Sequence, residues 1–97
     1  MKSADIASLL GRLTEQLAAI EHERWSHWQR YVHNNGVRQP DGSLLLPPDL
    51  VARWEKQIET KYADLANAEK ESDREQVRKY LPLIVSALTN RIDTVEE

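Results

Sequence analysis

The side chains best suited to chemistry are concentrated in one segment of the first third of the chain, Glu21 to Arg30. In this segment Glu23 and His27 are four residues apart, so a helix places them on one face, where they could share a metal ion. Two ligands make a weak site, and the sequence identifies no further ones. We therefore expect no metal site.

The same segment contains a possible base and nucleophile, since His22 and Ser26 also share a helix face. No glycine-rich elbow and no obvious oxyanion donor accompany them. The rest of the sequence contains no glycine-rich phosphate loop and no zinc signature. We predict that the protein is not an enzyme and uses no cofactor.

A third possibility is a small binding pocket, with His22, Trp25, Ser26 and Gln29 lining one wall. An aromatic ring beside hydrogen-bonding groups suits a planar ligand such as a nucleobase. The alternative is that the tryptophans belong to the hydrophobic core. Both interpretations are compatible with the spacing.

A second polar cluster runs from Glu69 to Glu75. On a helix, Glu69 and Asp73 share one face, and Lys70 and Arg74 share the adjacent one. Such a cluster is typical of a solvated helix start, because acidic side chains are favourable near a helix N-terminus. The alternative is an ordered polar network that reaches the first segment.

Composition restricts the class of protein. The 97 residues include 13 basic and 16 acidic side chains, a formal net charge of -3, which disfavours a broad phosphate-binding surface and makes nucleic acid an unlikely partner. The absence of cysteine excludes disulfides and thiolate zinc sites. No apolar stretch approaches the roughly 20 residues that span a bilayer, and no signal peptide is recognisable. We expect a cytoplasmic location without a membrane partner.

The apolar spacing predicts a single all-α domain over residues 1–97, with three main helices. The first is long and ends near Asn34-Asn35-Gly36, a sequence that favours a C-terminal cap. Its first half has an apolar stripe at spacings of 4, 3, 4 and 3 residues, similar to a coiled-coil seam. This stripe is either an oligomer or partner interface, as we predict, or part of the core. The stripe consists of Ile6, Leu10, Leu13, Leu17 and Ile20. After Ile20 the apolar positions move to another face, at Trp25, Trp28 and Val32.

The remaining elements follow a loop over residues 37–47, with a turn at Pro40-Asp41-Gly42. Leu44-Leu45-Leu46 is too short a run to found a sheet. A short middle helix begins around Pro47-Pro48 and is expected to bury Leu50, Val51, Trp54 and Ile58. A third helix runs from about Ala68 towards Asp93, and Pro82 should kink or divide it. Its apolar stripe is Val77, Leu81, Ile84, Leu88, Ile92 and Val95.

The order of three motifs resembles the RyR domain, a small helical repeat named after ryanodine receptors and also found in bacterial and phage proteins. The motifs are His22-x-x-Trp25, Leu45-Leu46-Pro47, and the stretch from Tyr62 through Leu65, Glu69-Lys70 and Asp73-Arg74. The resemblance covers residues 20–84, and the last stretch is its most specific part. The chain departs from the family pattern at Asn34 to Arg38, where members usually have an aromatic-glycine segment, and at Leu46-Pro47-Pro48, where they have His-Pro.

The resemblance implies a non-enzymatic module that binds or sequesters a nucleotide-derived signal in phage or bacterial defence and counter-defence. Carried over position by position, it implies a pocket in which Lys70 or Arg74 meets a phosphate and an aromatic ring stacks on a base. The implied pocket residues are His22, Trp25, Tyr62, Glu69, Lys70, Asp73 and Arg74, to which the spacing on the first helix adds Ser26. The alternative is a protein-interaction module that acts through its helical surfaces. A DNA-associated factor is disfavoured by the acidic balance.

Overall fold

The N-terminal stripe forms two helices rather than one. The computed structural model describes the backbone of residues 2–96 and the side chains of residues 2–90. Helix α1 is Ser3–Gly11 and helix α2 is Thr14–Asn35, with a turn at residues 12 and 13. The prediction of one uninterrupted helix was wrong, because the break follows Gly11, whose backbone freedom weakens a helix. Thr14 Oγ1 also donates to the Gly11 carbonyl oxygen, at 2.6 Å.

A small hairpin follows α2, which ends at the predicted position. Strand β1 is Val37–Arg38 and strand β2 is Leu44–Leu45; they pair antiparallel, with Val37 opposite Leu45. The expectation that the leucine run is too short to found a sheet was therefore wrong, although each strand of this sheet has only two residues. The predicted turn is confirmed, and Gly42 has a φ of 91°, a conformation that favours glycine.

The middle helix, α3, is Pro48–Glu59, as predicted from its two prolines. Leu50, Val51 and Trp54 are half-buried, whereas Ile58 is 81% exposed. The predicted burial of Ile58 was wrong, because it lies in the last turn of α3, which the described residues leave uncovered. A single 3₁₀ turn, Tyr62–Asp64, leads into the last helix.

Helix α4 is Asn67–Glu96 and runs without interruption through Pro82. Pro82 was predicted either to kink the helix or to divide it. The second outcome was wrong, because the helix is continuous. The side chains of Ile92 and Val95, part of the predicted stripe, lie outside the described side chains. The half-buried apolar face of α4 within residues 73–90 consists of Tyr80, Leu83, Ile84, Ala87 and Leu88.

The chain divides into two compact units. Unit 1 contains α1, the part of α2 up to Arg24, and the part of α4 from Asp73. Unit 2 is Trp25–Ser72. The change of apolar face predicted after Ile20 coincides with this division of α2.

The predicted interface stripe in unit 1, Ile6, Leu10, Leu13 and Leu17, is half-buried at all four positions. Among residues 2–90, no side chain is fully buried. The chain is thus mainly helical, with a two-stranded sheet and with apolar stripes that are shielded only in part.

Candidate binding site

An aromatic cluster joins the end of α2 to α3 inside unit 2. The rings of Trp28 and Tyr31 stack, with centroids 5.2 Å apart and planes at 17°. Trp54 of α3 meets both rings edge-on, at 6.1 Å from Trp28 and 6.3 Å from Tyr31. Edge-to-face and stacked pairs of this kind add to the stabilisation from apolar burial. These two tryptophans therefore help to hold unit 2 together.

The polar groups of Tyr31 and Trp54 differ in their hydrogen bonding. Arg53 Nη2 donates a hydrogen bond of 3.0 Å to the Tyr31 hydroxyl oxygen, linking α3 back to α2. Trp54 Nε1 is shielded from solvent and donates to none of the described residues. An unsatisfied buried donor costs about 1–3 kcal/mol, so Trp54 acts here through its ring surface rather than through its N–H.

A cleft of about 380 Å³ lies in unit 2, where the second half of α3 faces the 3₁₀ turn and the start of α4. Two cations, Arg53 and Lys56, and two carboxylates, Asp64 and Glu69, line it. Its walls therefore offer both signs of charge around a small apolar surface. The full lining is Arg53, Lys56, Gln57, Thr60, Asp64, Leu65, Ala66 and Glu69.

The structure brings two of the predicted ligand-binding residues together. Lys70 Nζ lies 5.8 Å from the centre of the Tyr62 ring, within the range of a cation–π interaction. Tyr62 is 50% exposed, so the outer face of this pair is accessible. Glu69, next to Lys70 in sequence, lines the cleft.

The other predicted residues are distributed over both units. Trp25 and Ser26 belong to unit 2, with Trp25 60% exposed and Ser26 half-buried. His22, Asp73 and Arg74 belong to unit 1. The predicted residues are thus divided between the two units.

The contribution of α3 to the cleft was not predicted. Arg53, Lys56 and Gln57 follow the spacing i, i+3 and i+4, which places them on one face of the helix, and Thr60 comes directly after its end. That spacing is visible in the sequence. It does not show that this face lies against the 3₁₀ turn and the start of α4, because the prediction for α3 rested on its apolar positions alone.

An exposed ion pair lies on α2 near the predicted site. Arg24 Nη2 pairs with Glu21 Oε2 at 2.8 Å, three residues earlier on the same helix, and both side chains are about half exposed. Exposed pairs of this kind contribute less than about 1 kcal/mol. In the described part of the chain, no group of three or more His, Asp or Glu side chains is arranged to hold a metal ion.

The clearest electrostatic perturbation lies in the hairpin turn. Asp41 Oδ1 accepts hydrogen bonds from Ser43 Oγ at 2.6 Å and from the Ser43 backbone N–H at 2.9 Å. These bonds favour the ionised carboxylate and lower the pKa of Asp41. This group stabilises a turn and is not part of the cleft.

Over the described residues, no helix combines the length and the apolar character that crossing a membrane requires. Comparison with protein-family models, with curated proteins and with solved structures found no match to this chain.

Proposed function

We propose that this chain is a non-enzymatic helical module that binds protein through its apolar helix surfaces. One observation carries this proposal: no side chain among residues 2–90 is fully buried, yet nine large apolar side chains are about half exposed or more. Their exposed fractions run from 47% at Trp28 to 81% at Ile58.

The burial of the described side chains supports the proposal, since none among residues 2–90 is fully buried. Apolar burial stabilises a fold by about 25 cal/mol per Å², and it must offset a conformational entropy cost of about 1–2 kcal/mol per residue. A protein partner that covers the exposed apolar side chains supplies the missing burial.

The exposed apolar side chains occur on several elements, which suits a protein partner better than a small ligand. In unit 2, Val37 and Leu45 lie opposite each other on the hairpin and are 57% and 62% exposed. In unit 1, three exposed apolar side chains follow one another along α4. A small molecule fills a concave site of limited area, whereas a protein covers extended surfaces of this kind.

Photo-crosslinking in cells tests this proposal. Benzoylphenylalanine is placed at Ile58 or Val85, and at the adjacent exposed polar positions Glu59 or Ser86 as matched controls. We expect a protein-sized adduct from the two apolar positions and little or none from the polar ones. Equal adducts at all four positions, or none at any, would contradict the proposal.

A second candidate function is the binding of a nucleotide-derived ligand by a RyR-like module. The pairing of Lys70 with Tyr62, beside a cleft that contains Glu69 and two cations, favours it. An aromatic ring beside a cation suits a base and a phosphate.

Native mass spectrometry on gently purified protein tests this second function. An adduct of nucleotide-like mass supports it, and the variants Tyr62→Ala and Lys70→Ala should each weaken binding of that adduct while leaving the helical content intact. Unaltered binding in both variants would exclude a nucleotide site at this pair.

A further inference from the structure

The charged side chains of the cleft in unit 2 are sorted by sign onto opposite walls. The two cations, Arg53 and Lys56, both belong to α3. The two carboxylates belong to the segment that follows, with Asp64 in the 3₁₀ turn and Glu69 in the first turn of α4. All four residues lie in unit 2. The cleft therefore has a positive wall and a negative wall within one compact part of the chain.

The charges on the two walls do not neutralise one another. Among the described residues, Lys56, Asp64 and Glu69 form no ion pair. The Arg53 guanidinium donates a hydrogen bond to the Tyr31 hydroxyl oxygen, and a guanidinium has several further N–H donors. Both walls thus keep charge available for a bound molecule.

The half-buried residues of the cleft are suited to a peptide group. Gln57 is half-buried, and its side-chain amide makes no hydrogen bond to a described residue. An amide provides a donor and an acceptor, which are the two groups that the backbone of a peptide needs to satisfy. Leu65, which is also half-buried, adds apolar contact surface. A peptide can use all of these features at once.

We propose that this cleft binds a peptide segment of the protein partner that carries one acidic and one basic side chain. The acidic group lies against Arg53 and Lys56, and the basic group lies against Asp64 and Glu69. This inference rests on the proposed function, because it names the segment that the interaction module recognises. It adds a charged recognition site to the exposed apolar side chains.

The two signs of charge determine which segments fit and in which direction. A segment whose charges all have one sign is repelled by one of the walls, and juxtaposed like charges strongly disfavour an interface. A segment with one charge of each sign meets an opposite charge on both walls. It does so in one orientation across the cleft and not in the reverse one. The cleft therefore selects both the composition and the direction of the bound segment.

The size and exposure of the cleft indicate that the charges supply specificity more than affinity. Its volume of about 380 Å³ accommodates a short segment rather than a folded domain. Arg53, Lys56 and Asp64 are exposed, and exposed ion pairs contribute little to stability. Apolar contacts supply the remaining affinity, and Tyr62, in the same 3₁₀ turn as Asp64, is 50% exposed.

Selection from a random peptide library displayed on phage tests this inference on the full chain. The targets are the wild type, Lys56→Glu and the matched control Lys61→Glu. Lys61 is exposed and lies in unit 2 but is not part of the cleft lining. We expect the wild type and K61E to enrich peptides with an acidic and a basic residue at a constant spacing. With K56E the preference for the acidic residue should disappear.

Fluorescence anisotropy with the most enriched peptide measures the effect on affinity. K56E should weaken binding about tenfold or more, whereas K61E should change it less than about twofold. A second peptide, in which lysine replaces the acidic residue, should bind K56E more tightly than it binds the wild type. This reversal distinguishes a charge contact at Lys56 from a general loss of folding, which would weaken the binding of both peptides.

Three outcomes would each overturn this inference: no enriched peptide, a consensus that lacks either charge, or equal binding of the enriched peptide to K56E and the wild type. The crosslinking experiment tests the proposed function separately. Protein adducts at Ile58 and Val85 retain the interaction module even where no charged peptide is selected. The absence of adducts at both positions overturns the proposed function, whatever the peptides show.

Discussion

At the scale of single residues, the best-defined polar arrangement is the turn between the two strands. Two hydrogen bonds from Ser43 to Asp41 Oδ1 hold it, and the side-chain bond is the largest cause of the lowered Asp41 pKa. We therefore predict that Ser43→Ala raises the pKa of Asp41 towards its ordinary value of 3.8, since only the backbone donors of Ser43 and Asp41 remain.

The sign of the accompanying pH effect follows from the lowered pKa. A carboxylate with a lower pKa in the folded state stabilises that state above its unfolded pKa, and this stabilisation is lost as the pH falls through the folded pKa. The wild-type hairpin should lose it below about pH 4, and S43A should have less to lose. Titration of the Asp41 carboxyl carbon by NMR measures both midpoints; identical midpoints in wild type and S43A would exclude the Ser43 hydroxyl as the cause.

Two glycines give opposite predictions because their backbones differ. Gly42 has a φ of 91°, so Gly42→Ala should lower the free energy of unfolding by about 1–2 kcal/mol even though no atom lies within 4 Å of the added Cβ. Gly11 has equally open surroundings but no positive φ, and it ends α1. Gly11→Ala should raise the free energy of unfolding by about 0.5–1 kcal/mol. Urea denaturation measures both, and changes of the same sign would contradict this assignment.

At the scale of the elements, local signals in the sequence predicted much of the structure. The start of α3 at Pro48, the end of α2 at Asn35 and the turn at Gly42 follow from the backbone preferences of proline, asparagine and glycine. The break after Gly11 could not be predicted from the apolar stripe, because the stripe keeps its spacing across residues 12 and 13. The exposure of Ile58 could not be predicted either, since the periodicity of a helix does not reveal where neighbouring elements stop covering it.

Pro82 provides the test at this scale. It cannot donate a backbone hydrogen bond to the Arg78 carbonyl, yet α4 continues through it. We predict that Pro82→Ala raises the free energy of unfolding by as much as about 3 kcal/mol, the cost of proline inside a helix.

The matched control is Pro48→Ala. Pro48 is also exposed but lies in the first turn of α3, where no backbone donor is lost. Its replacement should change the free energy of unfolding by less than about 0.5–1 kcal/mol. Circular dichroism during urea denaturation compares the two variants; an equal effect of both substitutions would show that the position of Pro82 within α4 is not what matters.

At the scale of the whole molecule, the candidate site was less predictable than the elements. Sequence spacing shows only that Tyr62, Glu69 and Lys70 belong to one short stretch of the chain, and within it Lys70 lies near Tyr62. It did not reveal that Arg53 and Lys56 share the cleft with Glu69, since that proximity depends on how α3 turns back towards the start of α4. Nor did it reveal the low burial throughout the described chain, because periodicity indicates which face is apolar and not what covers it.

Low burial leads to the last prediction, which concerns thermal unfolding. If the protein partner is a second copy of this chain, unfolding separates the two copies, and the midpoint temperature must rise with protein concentration. With an unfolding enthalpy of about 0.7 kcal/mol per residue, a tenfold increase in concentration should raise the midpoint by roughly 4 °C for a dimer of this chain. Scans over a hundredfold range of concentration measure this, and a constant wild-type midpoint would mean that the chain folds without a second copy.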